Sequence, residues 1–219
     1  MSEILLQQLV VGVVPFPPSS SFSRDALQRL FAEVSKAESY QQLNFLPSES
    51  GAQFLNSPED VVLVTPGLVQ VRTPVMTRER AREKVLAAIA QSSKRLDLER
   101  FVQSGIKVVA HAPAPGSHPR AKQFVAEQLM RSGGEHVEEL GDEFFAGGIK
   151  YRAVATEDNP REQVLQVEPL VADTEDALLF IDYDIQDMRP FAEIEALGER
   201  IDESFAFVME RAAKVVGGG

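Results

Sequence analysis

Apolar positions fall in two rhythms along this chain: alternation every second residue in some stretches, recurrence at three and four residues in others. The run Val10-Val11-Gly12-Val13-Val14, stopped by Pro15 and Pro17-Pro18, predicts a buried strand. A helix follows. Ser23 is placed to cap it, Asp25 suits its positive end, Phe22 can staple onto Leu27, and Leu27, Leu30, Phe31 and Val34 form its apolar stripe. Short extended segments come next, at Leu43 and Phe45, at Phe54-Leu55 after Gly51, and at residues 61–64. The last of these runs through Pro66-Gly67 into Val69 and Val71, which predicts a hairpin. Helical spacing returns over about residues 77–92, with Ala81, Val85, Ala88 and Ile89 inward.

The second part of the chain repeats this order. Ile106-Lys107-Val108-Val109 leads into Pro113 and Pro115, and a helix over about residues 119–131 places Phe124, Val125 and Leu129 on one side before Ser132-Gly133-Gly134 ends it. Gly147-Gly148 between Phe144-Phe145-Ala146 and Ile149-Lys150-Tyr151 is a two-residue hairpin signal. Residues 164–171 and 178–185 read as strands, and a long helix over about residues 190–214 closes the chain. Its stripe is Phe191, Ile194, Gly198, Ile201, Phe205, Val208, Ala212 and Val215. The fold class that follows is α+β, with two similar β-α-β(3-4)-α halves, residues 1–97 and 98–219, in one molecule. Antiparallel curved sheet would be covered by helices.

That order of elements resembles the duplicated, saddle-like TATA-binding-protein fold, and its curved sheet with a long helix is similar to helix-grip folds. The resemblance implies topology only, because function belongs to sites and not to folds. A second resemblance rests on Leu178-Leu179-Phe180-Ile181-Asp182-Tyr183-Asp184 followed by a Pro break and a helix carrying Phe205. The stretch Gly51-Ala52-Gln53-Phe54 with residues 61–71 is similar in placement. These resemble a sporadically distributed bacterial family of uncharacterised proteins, which implies no activity and no catalytic residues.

Composition then excludes classes. The 219 residues include no cysteine, which removes disulfides, thiolate nucleophiles and Cys-based metal sites. The apolar stretch 4–14 lacks a basic flank and contains Gln7 and Gln8, so neither a signal peptide nor a membrane span is expected, and the cytoplasm is the default location. A net charge of -11 opposes nucleic acid and anionic membranes. The one basic cluster, Arg78, Arg80, Arg82 and Lys84, is interrupted by Glu79 and Glu83 and reads as a solvated helix face.

Candidate chemistry is sparse. Asp182 and Asp184 share one face of a strand, where two carboxylates can hold a cation or shift one another's titration. The plainer reading turns Ile181, Tyr183 and Ile185 to the core and the aspartates to water. His111, His118 and His136 lack metal-ligand spacing, Pro113-Ala114-Pro115-Gly116-Ser117 reads as a rigid turn, and no serine sits in a Gly-x-Ser-x-Gly elbow. No catalytic residue, metal site or cofactor is therefore assigned. The leading expectation is a non-enzymatic binding or assembly protein that meets a protein partner through the sheet or an exposed helix. The alternatives are a small-ligand domain with a pocket between curved sheet and long helix, and a hydrolase using Asp182 or Asp184.

Overall fold

A computed structural model describes residues 4–47, 51–115, 120–130 and 147–217. Among these residues the alternating stretches form nine strands: β1 (Leu5–Phe16), β2 (Gln42–Phe45), β3 (Ala52–Ser57), β4 (Asp60–Thr65), β5 (Leu68–Pro74), β6 (Arg100–Pro113), β7 (Ile149–Ala153), β8 (Arg161–Pro169) and β9 (Leu178–Asp187). They join into one antiparallel sheet in the order β2-β3-β4-β5-β1-β6-β9-β8-β7. Four helices accompany it among the described residues. These are α1 (Arg24–Glu38), α2 (Arg78–Leu96), α3 (Ala121–Phe124) with a π-helical turn Val125–Leu129, and α4 (Ile194–Ala206), which runs on through a π-helical stretch Phe207–Ala212 into Ala213–Val216.

The sheet is built outward from β1 and β6, which pair antiparallel at its middle with Gly12 opposite Gly105. From β1 the order outward is β5, β4, β3, β2, and from β6 it is β9, β8, β7. The Pro66-Gly67 hairpin forms as read, with Thr65 opposite Leu68. The cap read at Ser23 forms, and Thr77 caps the second long helix in the same way. The Ser23 side chain accepts the Ala26 amide at 3.2 Å and Thr77 accepts the Arg80 amide at 3.2 Å, each satisfying an otherwise unpaired donor of the first turn.

Strand alternation decides where the core lies. Leu9, Val11 and Val13 of β1, Val69 and Val71 of β5, Ile106 and Val108 of β6, and Ile181 and Tyr183 of β9 are buried, and the helices pack on this face. Phe31 of α1 meets Phe54 edge-on at 5.4 Å, and Phe207 of the last helix stacks on Tyr183 at 4.2 Å. The intervening residues of every strand point the other way and stay partly exposed.

Several expectations are corrected. The Arg78–Lys84 cluster is a solvated face only in part: Arg78 and Arg80 are exposed, but Lys84 is buried, 2.6 Å from Asp60, with Tyr40 and Asn56 also donating to that carboxylate. Arg80 pairs with Glu38 at 2.8 Å and Arg82 with Asp202 at 3.0 Å, so these two and Lys84 tie α2 to its neighbours. The last helix begins at Ile194, not near residue 190. Phe191 instead bridges Phe101 through two backbone hydrogen bonds of 2.8 and 2.9 Å, with their rings stacked 5.2 Å apart. The π-helical stretch widens the turn, so the buried stripe passes from Val208 and Ala212 to Val216, and Val215 is left half exposed. Gly198, on the stripe of the last helix, faces α2 and not the sheet: a Cβ there would collide with the Arg82 guanidinium and meet Leu86 at 3.3 Å. After Gly147-Gly148, β7 pairs with β8. The partner strand expected at residues 144–146, the helix end at 132–134, His118 and His136 lie outside the described residues.

Candidate functional site

The strand alternation leaves one face of the sheet that no described helix covers. On its β1–β5 side it presents Val10, Val14, Leu55, Val61, Leu63 and Leu68, all half-buried, with Gln53 and Gln70 between them. Basic and acidic residues nearly balance across it: Arg72, Arg100, Lys107, Lys150 and Arg152 against Glu162, Glu168, Asp182 and Asp184. At its middle the Gly12–Gly105 pair leaves a depression of about 190 Å³, lined also by Gln70, Gln103, Lys107, Asp184 and Gln186. The glycines permit the overlying side chains, since a Cβ on Gly105 would stand 2.9 Å from the Gln186 amide and one on Gly12 3.2 Å from Leu68.

Asp182 and Asp184 lie on this face, while Ile181, Tyr183 and Ile185 are buried beneath the helices. Neither aspartate is fully solvated. Lys107, directly across from Asp184 on β6, reaches Asp182 at 2.6 Å, and the other Asp182 oxygen, Oδ1, is buried without a hydrogen bond. Asp184 accepts from Gln186 at 3.1 Å. The pair is thus tied into a strip of ion pair and amide contacts along β6 and β9. Among the described residues no group of three or more His, Asp or Glu is arranged to hold a metal ion. His111 is on the same face with its ring 6.2 Å from Phe180, and burial lowers its pKa.

A buried ionic centre was not legible in the sequence. Asp187, at the end of β9 and 1% exposed, accepts from Arg161 at 3.0 Å and from Arg189 at 2.5 Å, and lies 3.5 Å from Arg200. Burial by itself would raise the Asp187 pKa, but hydrogen bonds from the Arg189 side chain and backbone and the Arg200 charge bring it below the ordinary carboxylate value. Arg200, on α4, also donates to Ser104 Oγ at 2.8 Å and to the Arg189 carbonyl at 3.0 Å, and its guanidinium lies 4.6 Å over the Phe191 ring. The cluster thereby joins β6, β8, β9 and the last helix.

Next to it, between β8–β9 and the last helix, opens a cleft of about 290 Å³ lined by Arg161, Gln163, Tyr183, Glu203, Glu210 and Arg211, among others. The Tyr183 hydroxyl donates to Gln163 Oε1 at 3.0 Å, and burial pushes its pKa up to about 12 against the opposing charges of Arg161 and Arg211. A second, more apolar cleft of about 470 Å³ adjoins it, sharing Gln163, Tyr183 and Phe207 and adding Tyr151, Leu165 and Val215. Tyr183 and Val215 carried a sequence signal, as expected core positions, and Phe207 carried none. The polar groups come from positions far apart in the chain.

The described residues define an open antiparallel α+β sheet protein with helices on one face and a sheet–helix cleft. No family model matches the chain, and no curated protein matches its sequence. No described helix is long and apolar enough to cross a membrane.

Proposed function

We propose that this chain is a non-enzymatic binding protein that assembles through the uncovered face of its sheet, and that the protein partner this face fits is a second copy of the chain. The observation that carries the reading is the one-sided sheet: nine strands wide, with half-exposed Val10, Val14, Leu55, Leu63 and Leu68 on a face that no described helix covers. Covering such side chains gains about 25 cal/mol per Å² of apolar area. Nine strands at about 4.8 Å spacing span about 40 Å, which accommodates the roughly 800 Å² per partner of a standard interface. The near balance of charge on this face keeps the contact itself free of a like-charge patch, although the chain carries a net charge of -11.

The same proposal holds the chain to be internally duplicated, with residues 1–97 and 98–219 as units similar in plan to the TATA-binding-protein fold, joined edge to edge at β1 and β6. The common outward strand order on the two sides supports it. Membership of the sporadically distributed bacterial family and a cytoplasmic location belong to the proposal as well.

Sedimentation velocity over a dilution series tests the assembly. The expected result is a dimer that dissociates on dilution, lost in Leu63→Glu and Val10→Glu and kept in Glu83→Ala, which alters the exposed side of α2. A monomer at every concentration overturns the reading.

A further inference from the structure

We propose that the cleft between β8–β9 and the last helix binds a small zwitterion with an apolar body, the class to which free α-amino acids with aliphatic or aromatic side chains belong. The charges in the cleft select this class. Arg161 is neutralised by Glu203 at 2.8 Å, and Asp187, 3.0 Å from it, is shared with Arg189 and Arg200. Glu210 and Arg211 form no ion pair with a described residue and are exposed. One free acid and one free base therefore face the same cleft. A ligand with one ammonium and one carboxylate satisfies both, whereas a simple anion is repelled by Glu210 and a simple cation by Arg211.

The walls supply the rest. Tyr183 donates to Gln163 Oε1, leaving the Gln163 amide nitrogen to donate to a carboxylate. The adjoining cleft of about 470 Å³, walled by Tyr151, Leu165, Phe207 and Val215, takes an apolar side chain. Both clefts are of the size that small-molecule sites occupy. The π-helical stretch Phe207–Ala212 supports the assignment independently. Its wide turn accompanies the stacking of Phe207 on Tyr183 and places the Arg211 guanidinium 5.8 Å over the Phe207 ring, and such turns occur frequently at functional sites. This site is on the helix side of the sheet and does not depend on assembly through the opposite face.

Isothermal titration of the full chain with L-leucine and L-phenylalanine tests the site, with 3-phenylpropionate and phenethylamine as probes that each lack one charge. The amino acids are expected to bind, with the single-charge analogues at least about tenfold weaker. Arg211→Gln and Glu210→Gln should each weaken the amino acid by about tenfold while the unliganded variants keep a cooperative melting transition. Both residues are exposed, so the variants fold. Absence of binding up to about 10 mM, equal binding of either analogue, or unchanged affinity in Arg211→Gln overturns the proposal.

Discussion

Replacing Asp187 with alanine removes the one carboxylate shared by Arg161, Arg189 and Arg200. The two outer arginines lose little, because their side chains are 20% and 45% exposed and water replaces the lost partner, and Arg161 keeps Glu203. Arg200 is different. Its side chain is 9% exposed, and without Asp187 its guanidinium keeps only Ser104, a carbonyl and a ring as neighbours. Stranding a buried charge costs about 3–5 kcal/mol. The reference is Asp202→Ala, which breaks the exposed pair with Arg82 and should cost less than about 1 kcal/mol. Urea denaturation followed by circular dichroism measures both. The pH dependence adds a second readout. Because the folded state lowers the Asp187 pKa, its contribution is full above the unfolded value of about 4 and is lost as pH falls through the lower, folded one. The wild type should therefore lose its advantage over Asp187→Ala only below about pH 4. Equal costs for Asp187→Ala and Asp202→Ala at neutral pH would refute the reasoning.

Other perturbations test other parts of the account. Phe205→Ala should cost roughly 3–5 kcal/mol through lost transfer energy and a cavity, while Glu203→Ala should stay below about 1 kcal/mol, both by chemical denaturation. Lys84→Ala should cost about 3 kcal/mol or more because it strands Asp60 in the core, whereas Lys94→Ala, on the exposed end of α2, should be near neutral. Burial lowers the His111 pKa, so stability should decline as pH falls below about 6.5, where the unfolded chain binds the proton first; His111→Gln should flatten that slope in pH-dependent melting. Duplex DNA should show no salt-sensitive binding by fluorescence anisotropy, since the open face balances its charges and the chain is acidic.

Local chemistry made much of the fold legible. Ser23 announces a helix start through a backbone donor three residues away, and Pro66-Gly67 sets a turn between two runs of alternating valine. The same alternation turns Asp182 and Asp184 away from the core. What stayed hidden depends on distant partners. Lys84 looked like a solvated charge because Asp60 and Tyr40, which bury it, come from other elements. Asp187 gave no signal because its partners lie at positions 161, 189 and 200, and two of them lie on other elements. The shift of the buried stripe to Val216 follows from a π turn, which three- and four-residue spacing does not encode. The sheet–helix cleft is likewise a product of packing, assembled from β8, β9 and the last helix.

Because the chain has no cysteine, a single introduced thiol reports coverage of the open face directly. Gln70→Cys places it beside the Gly12–Gly105 depression, and Glu83→Cys places it on exposed α2 as a reference. The rate of alkylation by iodoacetamide, measured across protein concentration, should fall with concentration at position 70 and stay constant at position 83. A rate at position 70 that is independent of concentration would contradict assembly through this face.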